Sequence, residues 1–203
     1  MKKIVIGIDQ SYKNTGISIA VDNELKNISS IRLEALKSNC ERRNELRNRI
    51  DRLFYNMALK SKQEDCNLII IIERIRLQSQ GFININYIKS IGALNATIVD
   101  VATKYDIPVY SVDTRSWKSQ VVGTSKPKSN KIGINPEKWP TICWLKNKGY
   151  EKYLLVEVSK QKKKGVFVRN GIRYTYNDDA ADSACIALYG FIKDNLQKLE
   201  EEH

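Results

Sequence analysis

The chain has 203 residues, enough for one α/β domain with a sizeable core or for two very small domains. It contains 34 lysine and arginine residues against 23 aspartate and glutamate residues, a formal net charge of +11. The excess is localised, because residues 114–176 hold 15 basic and 3 acidic residues, net +12, and the remaining 140 residues have a net charge of −1. A basic segment joined to a near-neutral one indicates a polyanionic partner, although solubility alone is a plainer explanation.

The residue types also exclude several kinds of site. The four cysteines lie far apart without a C-x-x-C pair, so reduced thiols in a cytoplasmic protein are expected rather than a zinc or redox site. The only histidine is the last residue, His203, which excludes catalysis by an internal imidazole. The longest aliphatic run, residues 68–72, is too short to span a membrane, and no signal peptide is visible.

Five strands and two helices are predicted in the first 113 residues. In chain order they are strands at 3–9, 17–22 and 28–36, a helix at 41–63, a strand at 67–73, a helix at 83–105 and a strand at 107–113. Strand–helix–strand crossovers make the later strands parallel to the first. The predicted architecture is therefore α/β, a mixed sheet with helices on both faces.

The basic part of the chain is less regular. Residues 136–149 predict a short helix, and Asn170-Gly171 between two alternating runs predicts a type I′ hairpin over 166–176. A last apolar helix follows. We expect one domain over residues 1–203 in which about 122–176 form a basic loop and hairpin insertion. The tryptophans of this region are expected to serve in packing rather than in base stacking.

Two acids end predicted strands. Asp9 ends the first strand and Glu73 ends the fourth. If these strands are parallel neighbours, the two residues lie about 4.8 Å apart at one edge of the sheet. Ligand sites in open α/β sheets lie outside the carboxyl ends of the strands. Either acid alone is explained as the polar end of a strand, so the pair is what predicts a site.

The stretch DDAADSACIALYGF, residues 178–191, places three aspartates ahead of an apolar helix. Asn177 or Asp178 is a natural N-cap, and Asp179 and Asp182 share one face of the helix. Gathered carboxylates repel each other unless a cation neutralises them, and Mg²⁺ or Mn²⁺ prefers such oxygen ligands. Acids without histidine in a basic chain predict two-metal phosphodiester chemistry.

Four segments resemble, in order and context, motifs of the RuvC family of Holliday junction resolvases, which has the ribonuclease H-like fold. They are IGIDQSYKNTGISIA, IIIERI, VDTRSWKSQVVG and DDAADSACIA, and the resemblance runs from residue 3 to about residue 192. It implies a five-stranded mixed sheet in the order 3-2-1-4-5. It also implies that four acids hold two Mg²⁺ ions, with Mn²⁺ able to substitute. By match of motif these acids are Asp9, Glu73, Asp179 and Asp182.

The resemblance further implies contacts with DNA. Lys118 resembles a family lysine near the active site, which would offset charge on the phosphate. Three residues after Glu73 the family commonly has an aromatic residue that engages the junction centre; here that position is Arg76, and the next aromatic is Phe82. The basic loop and the lysine run 160–165 are the other candidates. The expected contacts are Arg76, Phe82, Lys118, Lys126, Lys128, Lys131, Lys162, Lys163 and Lys164.

The family also sets expectations for partners and location. It implies a homodimer that acts on branched DNA, four-way junctions above all, without a membrane. Gly92, Ala93 and Ala96 would let the second helix pack on its own copy as well as on the sheet. The segment 145–176 is longer than in cellular members, which predicts a phage-encoded or divergent protein in the bacterial or host cytoplasm.

Three other functions stay open at the level of sequence. GIDQSYKNTG also resembles the phosphate loop of sugar kinases and actin-like ATPases, although those proteins are longer and carry a second such loop. A basic DNA-binding protein without catalysis would explain the charge but not the four acids. Another ribonuclease H-like nuclease, acting on hybrids, flaps or single strands, would use the same acids.

Overall fold

The computed structural model describes residues 1–74, 85–159 and 164–192. The strands in these ranges are β1 (Lys2–Asp9), β2 (Asn14–Val21), β3 (Glu24–Arg32), β4 (Cys66–Glu73), β5 (Val109–Val112), β6 (Leu155–Glu157), β7 (Phe167–Arg169) and β8 (Ile172–Tyr176). The helices are α1 (Asn39–Gln63), α2 (Ile85–Thr103), α3 (Thr114–Trp117), α4 (Trp139–Asn147), α5 (Glu151–Leu154) and α6 (Asp178–Tyr189), and one π-helical turn covers Lys118–Val122. None of the described helices combines the length and apolar character needed to cross a membrane.

Five strands form a mixed sheet in the order β3-β2-β1-β4-β5. The first three strands pair antiparallel, while β4 pairs parallel with β1 on one side and with β5 on the other. This arrangement confirms the predicted α/β class and the predicted strand order. The antiparallel half follows from short connections, whereas the parallel half needs the crossovers through α1 and α2.

Helices cover both faces of this sheet, as expected. Along β1, Ile4, Ile6 and Ile8 are buried against the core that α1 and α2 form, while Val5 faces the core that contains α6. The alternation is the period of two that a strand imposes on its side chains. Because β1 is buried on both faces, its carboxyl end is held firmly between two cores.

Helix α6 approaches the sheet unusually closely, and two glycines allow it. A Cβ atom on Gly7 would lie 2.3 Å from the Ala187 nitrogen, and one on Gly16 would lie 2.0 Å from the Asp179 carbonyl oxygen. Neither distance is possible for a real side chain, so only glycine permits this contact. Between these points the hydroxyls of Ser18 and Ser183 lie 2.8 Å apart in the buried interface. The position of α6 is therefore fixed by its backbone lying directly against β1 and β2.

The insertion forms a second, three-stranded antiparallel sheet in the order β6-β8-β7. The predicted hairpin turn is confirmed, because Asn170 and Gly171 have φ values of 52° and 77°, both positive as a type I′ turn requires. Phe167 stacks on Tyr176 with 4.9 Å between ring centroids, and Tyr176 meets the edge of Trp139 at 6.2 Å. These rings attach the hairpin to the main core, next to the start of α6.

Several predicted boundaries were wrong. The second strand, expected at 17–22, is Asn14–Val21, the fifth, expected at 107–113, is Val109–Val112, and the short helix expected at 136–149 is Trp139–Asn147. The third strand was expected at 28–36, but β3 is Glu24–Arg32. Asp22 and Asn23 both have positive φ and form a tight turn directly after β2, so β3 starts at Glu24. The register shift at Ile19/Ala20 leaves Lys26 as an extra residue in β3, ahead of the run on which the prediction relied. Helix α1 starts two residues earlier than predicted, because Ser38 and Glu41 form a reciprocal capping box.

Replacing Gly16 with alanine tests the close approach of α6. The added methyl group would collide with the Asp179 carbonyl, so Gly16→Ala should lower the free energy of unfolding by about 1–3 kcal/mol or more. The matched control is Gly92→Ala in α2, where an added Cβ meets nothing within 4 Å. That change should raise stability by about 0.5–1 kcal/mol, because alanine is the better helix former. Urea denaturation followed by circular dichroism measures both; equal effects would contradict this account of the packing.

Candidate active site

The carboxyl ends of β1 and β4 bring the first two acids to one edge of the sheet. Ile8 lies opposite Ile72 in the parallel pair, and Asp9 and Glu73 are the next residues of the two strands. Asp9 is buried with 8% of its surface exposed, whereas Glu73 is more accessible. The expectation that these two acids share an edge is confirmed.

Helix α6 brings the other two acids to the same edge. Its N-cap is Asn177, whose side-chain oxygen accepts a hydrogen bond from the Ala180 N–H. Asp179 accepts a hydrogen bond of 2.8 Å from the Asn14 amide on β2. Asp182, one turn further along, is 1% exposed. The start of α6 therefore directs one acid to the rim of the site and buries the other.

A lysine that the sequence analysis did not single out lies between two of these acids. The Lys138 ammonium is 2.5 Å from Oδ2 of Asp182 and 3.6 Å from Oδ2 of Asp9. Lys138 is the residue before α4, at its N-cap position. A positive charge at a helix N-terminus opposes the helix dipole, so its acidic partners must supply the compensating attraction.

The charges of the site act strongly on one another. Burial raises the pKa of Asp9 well above its ordinary value, and the negative charges of Asp182, Glu73 and Asp179 raise it further, against the opposing effect of Lys138. Burial alone would lower the pKa of Lys138, but the charges of Asp182 and Asp9 raise it. The other three acids are thus close enough to Asp9 to raise its pKa.

Glu73 and Asp179 are each held by a neutral partner. The Thr114 hydroxyl at the start of α3 donates a hydrogen bond to Oε1 of Glu73, and the Gln10 amide donates to the Glu73 carbonyl at 2.5 Å. Burial and the neighbouring Asp178 raise the pKa of Asp179, while the hydrogen bond from Asn14 opposes this shift. These contacts orient the two carboxylates without neutralising them.

The donor set suits a hard divalent cation. Oδ2 of Asp9 and Oδ1 of Asp182 are buried and make no hydrogen bond, which is costly unless a cation is their partner. Within the described ranges, however, no three acidic, cysteine or histidine side chains are close enough together to ligate one ion. Lys138 holds the central position between two of the acids instead. The buried carboxylates therefore suit a hard divalent cation, and the Lys138 ammonium now supplies the positive charge between Asp9 and Asp182.

Lys118 does not reach the acids directly. It is 8% exposed, its ammonium donates to the Glu137 carbonyl at 3.1 Å, and it lies 5.2 Å from the centre of the Trp117 ring. The lysine expected to meet a phosphate therefore supports the backbone immediately before Lys138. Trp117 is buried, and Trp139 and Trp144 pack against the same core, in agreement with the packing role expected for all three.

Several exposed lysines of the insertion, called the rim below, lie on segments that connect to Lys138 through the chain. The backbone N–H of Lys128 donates to the Pro136 carbonyl at 2.9 Å, two residues before Lys138. A Cβ on Gly133 would lie 3.8 Å from the Gly165 nitrogen, so the loop that follows Lys131 touches the segment that follows Lys164. Lys126 is exposed in the same loop. The predicted contacts Arg76, Phe82, Lys162 and Lys163 lie outside the described residues.

The sequence analysis missed Lys138 and the partners that orient the acids. Asn14 and Thr114 stand inside the quoted motifs, but a neutral residue in a motif carries no signal of its own. Lys138 offered one, because Pro140 marks the start of a helix and a lysine at that start is unfavourable without an acidic partner. Only the fold could identify that partner.

No protein-family model and no curated protein matches this sequence. Among solved structures, the chain is similar to RuvC from Thermus thermophilus, with 14% identity, a TM-score of 0.57 and 96% of each chain covered. It is also similar to T. thermophilus RuvC in complex with a Holliday junction substrate, with 13% identity, a TM-score of 0.58, and 95% of this chain and 96% of that chain covered. The yeast mitochondrial Holliday junction resolvase Ydc2 matches at 17% identity and a TM-score of 0.44, over 96% of this chain and 84% of that chain. At these identities the first two comparisons establish the fold.

The raised pKa of Asp9 predicts that this acid destabilises the metal-free protein. In EDTA at pH 8, Asp9→Asn should raise the free energy of unfolding by about 0.5–2 kcal/mol, because it removes a buried charge near three other acids. The control Asp106→Asn changes an exposed aspartate and should have an effect within about 0.5 kcal/mol.

The pH dependence of this difference gives a second check. Since the folded-state pKa of Asp9 is raised, the folded protein binds a proton that the unfolded chain releases, and wild-type stability falls as the pH rises through that pKa. The advantage of Asp9→Asn should therefore grow over the same range and vanish at low pH. A variant less stable than wild type at pH 8 would show that Asp9 is well compensated by Lys138.

Proposed function

We propose that this protein is a metal-dependent endonuclease that cuts branched DNA, four-way junctions foremost. The observation that carries the proposal is the gathering of Asp9, Glu73, Asp179 and Asp182 at one sheet edge, together with the rim of exposed lysines. The similarity in fold to RuvC, which has been solved with a Holliday junction substrate, supports the choice of substrate. The acids suit a metal and the lysines suit a polyanion, so a single surface combines the two requirements of phosphodiester hydrolysis.

The four acids would hold two Mg²⁺ ions, with Mn²⁺ as a substitute. When bound, such ions supply a nucleophilic water and stabilise the leaving oxygen. The chain's own residues prepare the site: Thr114 fixes the Glu73 carboxylate and Asn14 fixes that of Asp179. Burial of Asp9 and Asp182 keeps water from screening their charges, which strengthens every electrostatic contact at this edge.

The lysines of the insertion would carry the DNA backbone past the acids. Lys126, Lys128, Lys131 and Lys164 are exposed on segments that contact one another and lead to Lys138. Phosphate contacts of this kind position DNA without reading its sequence. A steep dependence of binding on salt is the expected signature, because each neutralised phosphate releases counterions.

A four-way junction has approximate two-fold symmetry, so paired cuts call for two sites related in the same way. We therefore propose a homodimer. Helix α2 offers a surface for this dimer. Ala96 is exposed, and a Cβ atom added to Gly92 would meet no other atom within 4 Å. We place the protein in the cytoplasm, either bacterial or that of a phage's host.

The test is cleavage of labelled DNA by wild type, Asp179→Asn and the matched control Asp178→Asn. Wild type should cut four-way junctions in Mg²⁺ or Mn²⁺, at paired positions on strands of like polarity, and should be inactive in EDTA. Asp179→Asn should lose at least about 100-fold in rate while binding the junction as well as before or better, because a negative charge near phosphate is removed. Asp178→Asn removes the same charge one residue away and should remain active.

The substrate panel separates the alternatives. Three-way, flap, duplex and RNA–DNA hybrid substrates are compared with the junction under the same conditions. Preferred cutting of a hybrid or a flap would replace the resolvase by another nuclease of this fold. Binding without cleavage in any metal would leave a DNA-binding protein, and full activity in excess EDTA would remove the metal mechanism.

A further inference from the structure

We propose that Lys138 is an internal counter-ion that occupies the cation position between Asp9 and Asp182 in the metal-free protein, so that a divalent ion must displace it to bind. The inference rests on the proposed function in one respect, namely that these acids hold a metal. It goes beyond that function by assigning a competitor within the chain and by linking metal loading to the position of α4.

The geometry makes the ammonium and the metal mutually exclusive. Lys138 is 2.5 Å from Oδ2 of Asp182 and 3.6 Å from Oδ2 of Asp9, so its charge lies between the two buried carboxylates. A Mg²⁺ ion shared by these acids would take oxygens at about 2.0–2.1 Å and would lie within a few ångströms of that ammonium. Two positive charges so close in a poorly hydrated site repel strongly. One of them has to leave.

Neighbouring residues fix the backbone around Lys138, whereas its side chain can adopt other rotamers. The carbonyl of Glu137 accepts from Lys118, and the ring of Trp139 packs on Tyr176 at the base of the hairpin. The flexible four-carbon stem lets the ammonium move while the backbone stays in place. Lys118 is then a positioning residue, which acts through the backbone next to Lys138.

A DNA phosphate could bind the Lys138 ammonium once the metal has displaced it. Exposed lysines of the insertion lie on the loop that leads to Lys138, and the backbone N–H of Lys128 donates to the Pro136 carbonyl, two residues before Lys138. A DNA phosphate at this rim would offer the displaced ammonium a new anionic partner. Metal binding and DNA binding would then favour each other. The metal releases the Lys138 ammonium, and the DNA phosphate gives the released ammonium an anionic partner.

The experiment measures Mn²⁺ affinity calorimetrically in the absence of DNA for wild type, Lys138→Met and Lys148→Met. Lys148 ends the same helix that Lys138 begins, and its ammonium lies 5.6 Å from the centre of the Trp144 ring, so the control removes the same charge at the other end of α4. Lys138→Met should bind Mn²⁺ at least about tenfold more tightly than wild type. Lys148→Met should stay within about twofold of wild type. Equal or weaker binding by Lys138→Met, compared with that control, overturns the inference.

A stability measurement supplies an independent readout of the same variant. In EDTA, Lys138→Met leaves two buried carboxylates without their cation, so its melting temperature should fall below that of Lys148→Met. Saturating Mg²⁺ should close this gap in melting temperature, since a ligand that binds only the folded state stabilises the tighter-binding variant more. If Mg²⁺ raises the melting temperatures of both variants equally, the ammonium does not compete with the metal.

Two further arms keep the inference testable and separate it from the proposed function. Should Lys138→Met not fold, nitrogen-detected NMR of the lysine ammonium groups in wild type takes its place: the Lys138 signal should be protected without metal, and Mg²⁺ should abolish that protection while the signal of the buried Lys118 ammonium stays protected. Persistence of that signal at saturating Mg²⁺ overturns the inference. Asp182→Asn is the reference for metal binding. Binding that depends on Asp182 but not on Lys138 defeats this inference alone, whereas absence of binding in wild type and all variants defeats the proposed function with it.

Discussion

Buried negative charge is the constraint on which this site depends. Asp9 and Asp182 are buried at the edge of a sheet, and Asp179 and Glu73 add charge beside them. Carboxylates in such a place must be protonated, be paired or hold a cation. Among the residues that the structure describes, Lys138 is the positive group that forms ion pairs with these two acids, and it lies closer to Asp182 than to Asp9. Lys138 therefore offsets only part of the negative charge of the four acids, and burial still raises the pKa of Asp9.

The close packing of α6 turns separate strand ends into one site. The acids come from β1, β4 and α6, which are up to 173 positions apart in the chain, from Asp9 to Asp182. Gly7 and Gly16 let the backbone of α6 lie directly against β1 and β2, and this contact sets the height of the helical acids over the sheet edge. The hairpin enters the same assembly, because β8 ends at Tyr176, two residues before α6 begins, and its rings pack on Trp139.

The parts of the fold that follow from local patterns were predictable, and the parts that follow from long-range charge were not. Apolar runs gave the strands of the parallel half, and Asn170-Gly171 gave the hairpin turn, because backbone conformation there is decided by neighbours in sequence. The start of α1 was readable from Ser38 and Glu41 but was missed. The early start of β3 follows from the tight turn at Asp22 and Asn23, which the prediction overlooked. Lys138 could not be assigned, because its acidic partners are brought to it only by folding. The convergence of the four acids was expected from strand ends and from a family resemblance, and their metal-binding role stays a prediction.

The most direct measurement of the central claim is a crystal structure with Mn²⁺ and a four-way junction, read by anomalous scattering. The account predicts anomalous peaks between the carboxylates of Asp9 and Asp182, with Glu73 or Asp179 completing the ligands, next to a junction phosphate. It also predicts that the Lys138 ammonium has left its position between the two acids. A junction bound elsewhere on the protein, or an edge that shows no peak at saturating Mn²⁺ while Lys138 still bridges Asp9 and Asp182, would contradict the assignment of this edge as a metal-dependent nuclease site.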